Sequence, residues 1–116
     1  MSRTTKLQFD VQRTLGFAGI GANYAAVGTG LTYPASQLFI QNLTNVSLQF
    51  SFDGINDHFP LASNAFFVLD ITTNKFIRSE GLFLPVGTTL YVKEIAGGAA
   101  PASGSVYFSY TYALTQ

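Results

Sequence analysis

The chain contains no cysteine, which excludes disulfides, thiolate metal ligands and a cysteine nucleophile. Charge is almost as scarce. Lysine, arginine, aspartate and glutamate together make up 10% of the residues, against about 25% in an ordinary soluble domain. Six basic and six acidic side chains cancel, so no net field draws the molecule to nucleic acid or anionic lipid. The charges are also segregated: none lies between Thr14 and Phe52, and none follows Glu94. Long apolar runs are missing too. The longest, residues 65–69, is far short of the roughly 20 residues a membrane helix needs. The amino-terminal MSRTTKLQFDVQR is polar and lacks the apolar core of a signal peptide, so synthesis in the cytoplasm is the expectation.

What is present reads as β-structure. At 116 residues the chain fits one domain able to bury roughly two-thirds of its unfolded surface. No stretch keeps an apolar period of 3.6, whereas period two recurs. It predicts strands at 6–11, 37–42, 46–52, 65–71 and 90–95, with a long last strand marked by Val106, Phe108, Tyr110 and Tyr112. In the first, Leu7, Phe9 and Val11 share a face; in the second, Leu38 and Ile40 point inward. Residues 65–71 are apolar on both faces, the pattern of a buried central strand. Leu43-Thr44-Asn45 reads as a tight hairpin between the second and third strands, and Asp53-Gly54 as a turn. Residues 97–104, rich in glycine and alanine, read as a flexible loop or one draped over a neighbour. The expected fold is a single antiparallel β-sandwich, jelly-roll-like or immunoglobulin-like. Residues 1–36 supply a strand plus a Gly-rich N-terminal arm, irregular or an edge strand, and residues 37–116 the sandwich body.

Chemically versatile side chains cluster once, at Asp53, Asp57 and His58. The stretch DGINDHFPLASN lacks the order and the closing glutamate of a calcium loop. No Gly-x-Ser-x-Gly accompanies His58, so a serine hydrolase has no nucleophile elbow. A turn explains the cluster better than a site. Gly19-x-Gly21 and Gly28-x-Gly30 lack the strand–loop–helix setting and the Lys-Ser/Thr of a phosphate cradle. Asn42-Leu43-Thr44 and Asn45-Val46-Ser47 match the glycosylation sequon, which carries little weight without a secretory signal. The 17 aromatics are not joined by a basic groove, since Lys6, Arg13, Lys75, Arg78 and Lys93 are dispersed, and base stacking is set aside. Sugar binding through exposed Tyr107, Tyr110 or Tyr112 stands as an alternative.

Five motifs then point to a family: Asn42 to Thr44, Ser51 to His58, Asp70 to Lys75, Gly87 to Lys93, and Ser103 to Tyr107. Together with FAGIGANYAAVGTGLTYPAS they resemble small structural proteins of tailed bacteriophages, over most of the chain from about Gly16. The resemblance implies a virion component made in the host cytoplasm, and its motifs are turn and strand signatures rather than catalytic ones. The expected function is non-enzymatic: a head–tail, neck or tail assembly protein contacting copies of itself and other virion proteins. No catalytic, metal or cofactor residues are expected, and neither nucleic acid nor membrane is an expected partner. A poorly charged surface fits subunit contact, with Phe17, Ile20, Tyr24, Val27 and Tyr33 as the interface candidates. The alternatives are a capsid decoration protein and a carbohydrate-binding module of a tail fibre.

Overall fold

The computed structural model describes residues 5–70 and 84–115, excepting the side chains of residues 5–7 and 113–115. Among the described residues nine strands form two antiparallel sheets: β1 Thr5–Phe9, β2 Arg13–Gly16, β3 Ala25–Ala26, β4 Gln37–Asn42, β5 Leu48–Ser51, β6 Phe59–Leu61, β7 Phe66–Asp70, β8 Tyr91–Glu94 and β9 Ser105–Thr115. One sheet runs β1-β9-β4-β7, with β2 also on β9; the other runs β3-β8-β5-β6. No described helix is long and apolar enough to cross a membrane.

The pairing is nested. β5 pairs with β6, β4 with β7, β3 with β8, and β1 and β2 with β9. The described chain is thus one long hairpin, folded over itself, whose central turn is residues 52–58. That strand order is the jelly roll, not the immunoglobulin sandwich. In this nest the register of each ladder constrains the next, because a one-residue slip turns every side chain to the opposite face.

Alternation accounts for the core. Leu38 and Ile40 on β4, Leu48 and Phe50 on β5, Val92 on β8, and Val106, Phe108 and Tyr110 on β9 are fully buried between the sheets. The Gly-rich arm lies along this sandwich. After a 3-10 turn at Phe17–Gly19 it reaches the edge strand β3, and its Ile20, Val27 and Leu31 join the same cluster.

β1 and β2 are two halves of a single strand interrupted by a bulge. Phe9 pairs with Thr111 and Arg13 with Phe108, so three residues, Asp10 to Gln12, oppose two. The extra residue shifts the facing, as bulges do. Phe9 points to solvent and Arg13 inward.

Three expectations need correction. Residues 43–45 do not form a hairpin between the second and third predicted strands: β4 and β5 lie in different sheets, and this segment crosses between them. Asn42, buried below, makes that crossover rigid. Its amide donates to the carbonyls of Val46 (3.0 Å), Leu61 (3.0 Å) and Ala62 (3.2 Å) and accepts from Thr44 N and Oγ1. The strand at 65–71 is not buried on both faces either, and Ile71 lies outside the described residues. β7 stands at the edge of the described sheet, with Phe66 67% and Val68 49% exposed. Its double apolar pattern marks one core face and one uncovered face. Among the tyrosines named for sugar binding, Tyr110 is in the core and unavailable.

Candidate functional site

The central turn spends its chemistry on itself. Ser51 Oγ donates to Asp53 Oδ1 and accepts from the Asp53 and Gly54 amides. The same carboxylate accepts from the Ile55 and Asn56 backbone amides, each 2.8 Å, and from the Asn56 side chain. These bonds, the Asn56 amide foremost, hold the Asp53 carboxyl far below the usual carboxylate range. Gly54, with φ 75°, completes the turn that its sequence predicts. His58 Nδ1 accepts from Phe52 N at 2.9 Å, which puts the proton of the neutral ring on Nε2, and that nitrogen lies 3.8 Å from Asp53 Oδ2.

Beside the turn, on the outer face of the β3-β8-β5-β6 sheet, Tyr24 donates to Asp57 Oδ1 at 2.5 Å. Lys93 Nζ lies 3.4 Å from the same oxygen and 4.7 Å from the Tyr24 ring centre. The Tyr24 hydrogen bond lowers the Asp57 carboxyl; burial, then the carboxylate, push the Tyr24 phenol up. No group of three or more described His, Asp or Glu residues is placed to hold a metal ion.

A second network ties the arm to β9. The buried Arg13 guanidinium donates to the carbonyls of Val11 (2.8 Å), Thr29 (3.2 Å) and Gly30 (3.0 Å) and pairs with Asp10 Oδ2 at 3.2 Å. It also lies over the Tyr110 ring at 5.2 Å. Tyr110 OH donates to Asp10 and accepts from Thr32 N and Tyr33 N, each at 3.1 Å. The hydrogen bond from Tyr110 is the main cause that lowers the Asp10 carboxyl. An open groove of about 400 Å³ runs past Arg13, Thr29 and Thr32. The guanidinium donors are already engaged, which makes this a brace rather than an anion site.

The other sheet presents an outer face poor in charge among the described residues. Phe9 and Phe39 meet there with ring centres 5.7 Å apart, and Phe39 is paired with Val68 on β7. Phe66 continues the apolar stripe, flanked by Gln37, Gln41, Ser109 and Tyr107 on the same pleat. Among residues with described side chains only Asp70, at the corner opposite Gln37, brings charge to this face.

The five interface candidates from the arm divide by burial. Ile20 and Val27 are buried in the chain's own core, so they present no surface to a neighbour. Tyr24 is half-buried and engaged with Asp57 and Lys93. Phe17 and Tyr33 are exposed, and Tyr33 stacks on Tyr112 with ring centres 3.9 Å apart. Phe9, Phe39, Phe66 and Val68 were not among them. The alternation placed Phe9 on one face with Leu7 and Val11 but carried no sign of which side that face takes. The chain matches no protein-family profile, curated protein or solved structure.

The pH response follows from the three lowered aspartates. Each has an ordinary value of 3.8, so its contribution is present above that pH and lost as pH falls through the lower folded value. The raised phenols of Tyr24 and Tyr110 contribute below their ordinary 10.0 and lose it as pH rises beyond that. Thermal melts are expected to plateau between these limits and fall off on both sides. Asp53→Asn should shrink the acid fall, and an unchanged acid limb in that variant would refute the assignment.

Proposed function

We propose that this chain is a non-enzymatic structural component of a tailed-phage virion, acting at the head–tail junction, neck or tail through subunit–subunit contacts. One observation carries the reading: a jelly roll with an apolar, nearly uncharged outer face on one sheet. Such a face is unsuited to permanent exposure and suited to contact. Jelly rolls serve in viral shells and in lectins, so the fold supports the reading by analogy only. The resemblance in the turn and strand motifs supplies the phage setting, and a place on the capsid surface as a decoration protein is the nearest variant. The Asp53 turn and the Arg13–Asp10–Tyr110 network direct their hydrogen bonds to groups of the chain itself, which supports a structural role for them.

The glycan-binding alternative draws on a different observation, the Tyr24–Asp57–Lys93 group beside half-buried Tyr91 on the opposite face. Aromatic rings next to carboxylate and amide groups are the side chains sugars use, and a glycan array tests this directly.

The deciding experiment for the leading reading is quantitative mass spectrometry of gradient-purified particles from cells producing the phage that encodes the chain. A fixed multiple of copies per particle is expected. Complete absence from particles, with the protein left in the soluble lysate, would overturn it.

A further inference from the structure

We propose that the outer face of the β1-β9-β4-β7 sheet is a two-fold contact with a second copy of this chain, an inference that deepens the assembly reading and shares its premise of self-contact. The face offers neutral groups for hydrogen bonding. Gln37, Gln41, Thr14 and Ser109 share its pleat. Amides and hydroxyls both donate and accept, so each pairs with its own kind across a symmetry axis. Carboxylates and ammonium groups do not: two copies of one charge meet like against like. Among the described side chains this face carries Asp70 alone, at a corner. A second copy therefore meets it without burying like charges against each other.

The apolar groups add direction. Phe9, Phe39, Val68 and Phe66 form an oblique stripe across the sheet from β1 to β7. A two-fold axis lying along that stripe, in the plane of contact, stacks it on its own copy, the isologous arrangement in which each patch meets itself. Because the stripe runs at about 45° to the strands, the two sheets cross at close to 90°, about 10 Å apart, with side chains interleaved.

Area sets the strength. β9 has 11 residues and spans roughly 37 Å. With β1 and β2 along its full length and the shorter β4 and β7 beyond, four strands about 4.8 Å apart give a footprint of roughly 500 Å². A stable complex buries about 800 Å² per partner, so this contact belongs among weak, reversible ones. That is suited to a repeated assembly, in which a second contact makes the first effectively intramolecular.

Sedimentation velocity from about 1 to about 200 µM tests the surface. The wild-type protein is expected to rise from monomer toward dimer mass over that range. Val68→Lys and Phe66→Glu each place an unpaired charge in the contact, and each should raise the dissociation constant at least about tenfold. Both side chains are exposed in the monomer, so melting temperatures should hold near wild type and certify folding. Gln49→Lys, on the opposite sheet, should leave association unchanged. A wild-type monomer at every concentration would overturn the proposal, as would undisturbed dimers in both face variants. A trimer or ring would overturn the two-fold geometry. Copies counted in particles without face-dependent association would sink this inference and leave the virion reading standing. Face-dependent dimers absent from particles would do the reverse.

Discussion

Arg13→Ala is expected to destabilise the protein by about 3–5 kcal/mol, lowering Tm by more than about 10 °C, with no change in the identity of the fold. The cost does not come from losing a surface ion pair, which would be worth under about 1 kcal/mol. Arg13 is 8% exposed, and four groups converge on its guanidinium: the Asp10 carboxylate and the carbonyls of Val11, Thr29 and Gly30. Truncation leaves them without their donors, in a cleft where water reaches only part of them, and the penalty for an orphaned buried group exceeds the net value of the bond it lost. The bulge at Asp10 to Gln12 exists to turn this side chain inward, and Gly28 gives it room: a Cβ there would stand 2.5 Å from Arg13 Cγ. Arg13→Lys tests the mechanism further. It keeps the charge but cannot span several acceptors with a planar fork, so an intermediate loss is expected. Chemical denaturation of the three proteins checks the order wild type, lysine, alanine. A loss below about 1 kcal/mol for alanine would mean that the arm is held by Ile20, Val27 and Leu31 without the brace.

Two kinds of information were unequally legible in the sequence. Strands whose two faces differ in polarity announced themselves. The segment at 37–42 coincides with β4, and the last strand was marked by Val106, Phe108 and Tyr110, all in the core. The Asp53-Gly54 turn was legible because its chemistry is local, with every hydrogen-bond partner of the Asp53 carboxylate within three residues. Long-range facts were not. Whether a doubly apolar strand is central or at an edge depends on what lies beside it, and Phe66 and Val68 read the same in either place. Short strands carried too few periods to register, as with β3, β6 and β2. The inward turn of Arg13 hinged on a one-residue bulge whose partner lies nearly a hundred positions away. The charge-free stretch from Leu15 to Phe52 was visible from the start. Its consequence, a neutral sheet face that continues onto β7 and β9, needed the topology.

Gly104→Ala is expected to be the most damaging glycine-to-alanine change among the described residues, at about 3–5 kcal/mol, while Gly97→Ala, with a similar backbone, costs about 1 kcal/mol. Both glycines have positive φ, 88° and 79°, so both substitutions carry the left-handed penalty. The difference lies in the surroundings. A Cβ on Gly97 meets nothing within 4 Å; one on Gly104 would stand 2.0 Å from the Leu43 carbonyl oxygen and 2.8 Å from Thr44 Cα. Those are backbone atoms of the crossover between the sheets, and they cannot rotate away as a side chain would. They are fixed by the Asn42–Thr44 hydrogen bonds and by Leu43 N donating to Ser105 O at 3.0 Å. Asn45 Oδ1 accepts from Ala102 and Ser103, and Phe17 N donates to the Gly104 carbonyl, so relief by moving the loop breaks bonds on the other side. The end of the 97–104 loop is therefore held by its own chain, and its small residues there serve a close approach of two backbones. Equal melting temperatures for the two variants would refute that contact. A fall of more than about 10 °C confined to Gly104→Ala would establish that the start of β9 is locked to the crossover by contacts within the chain.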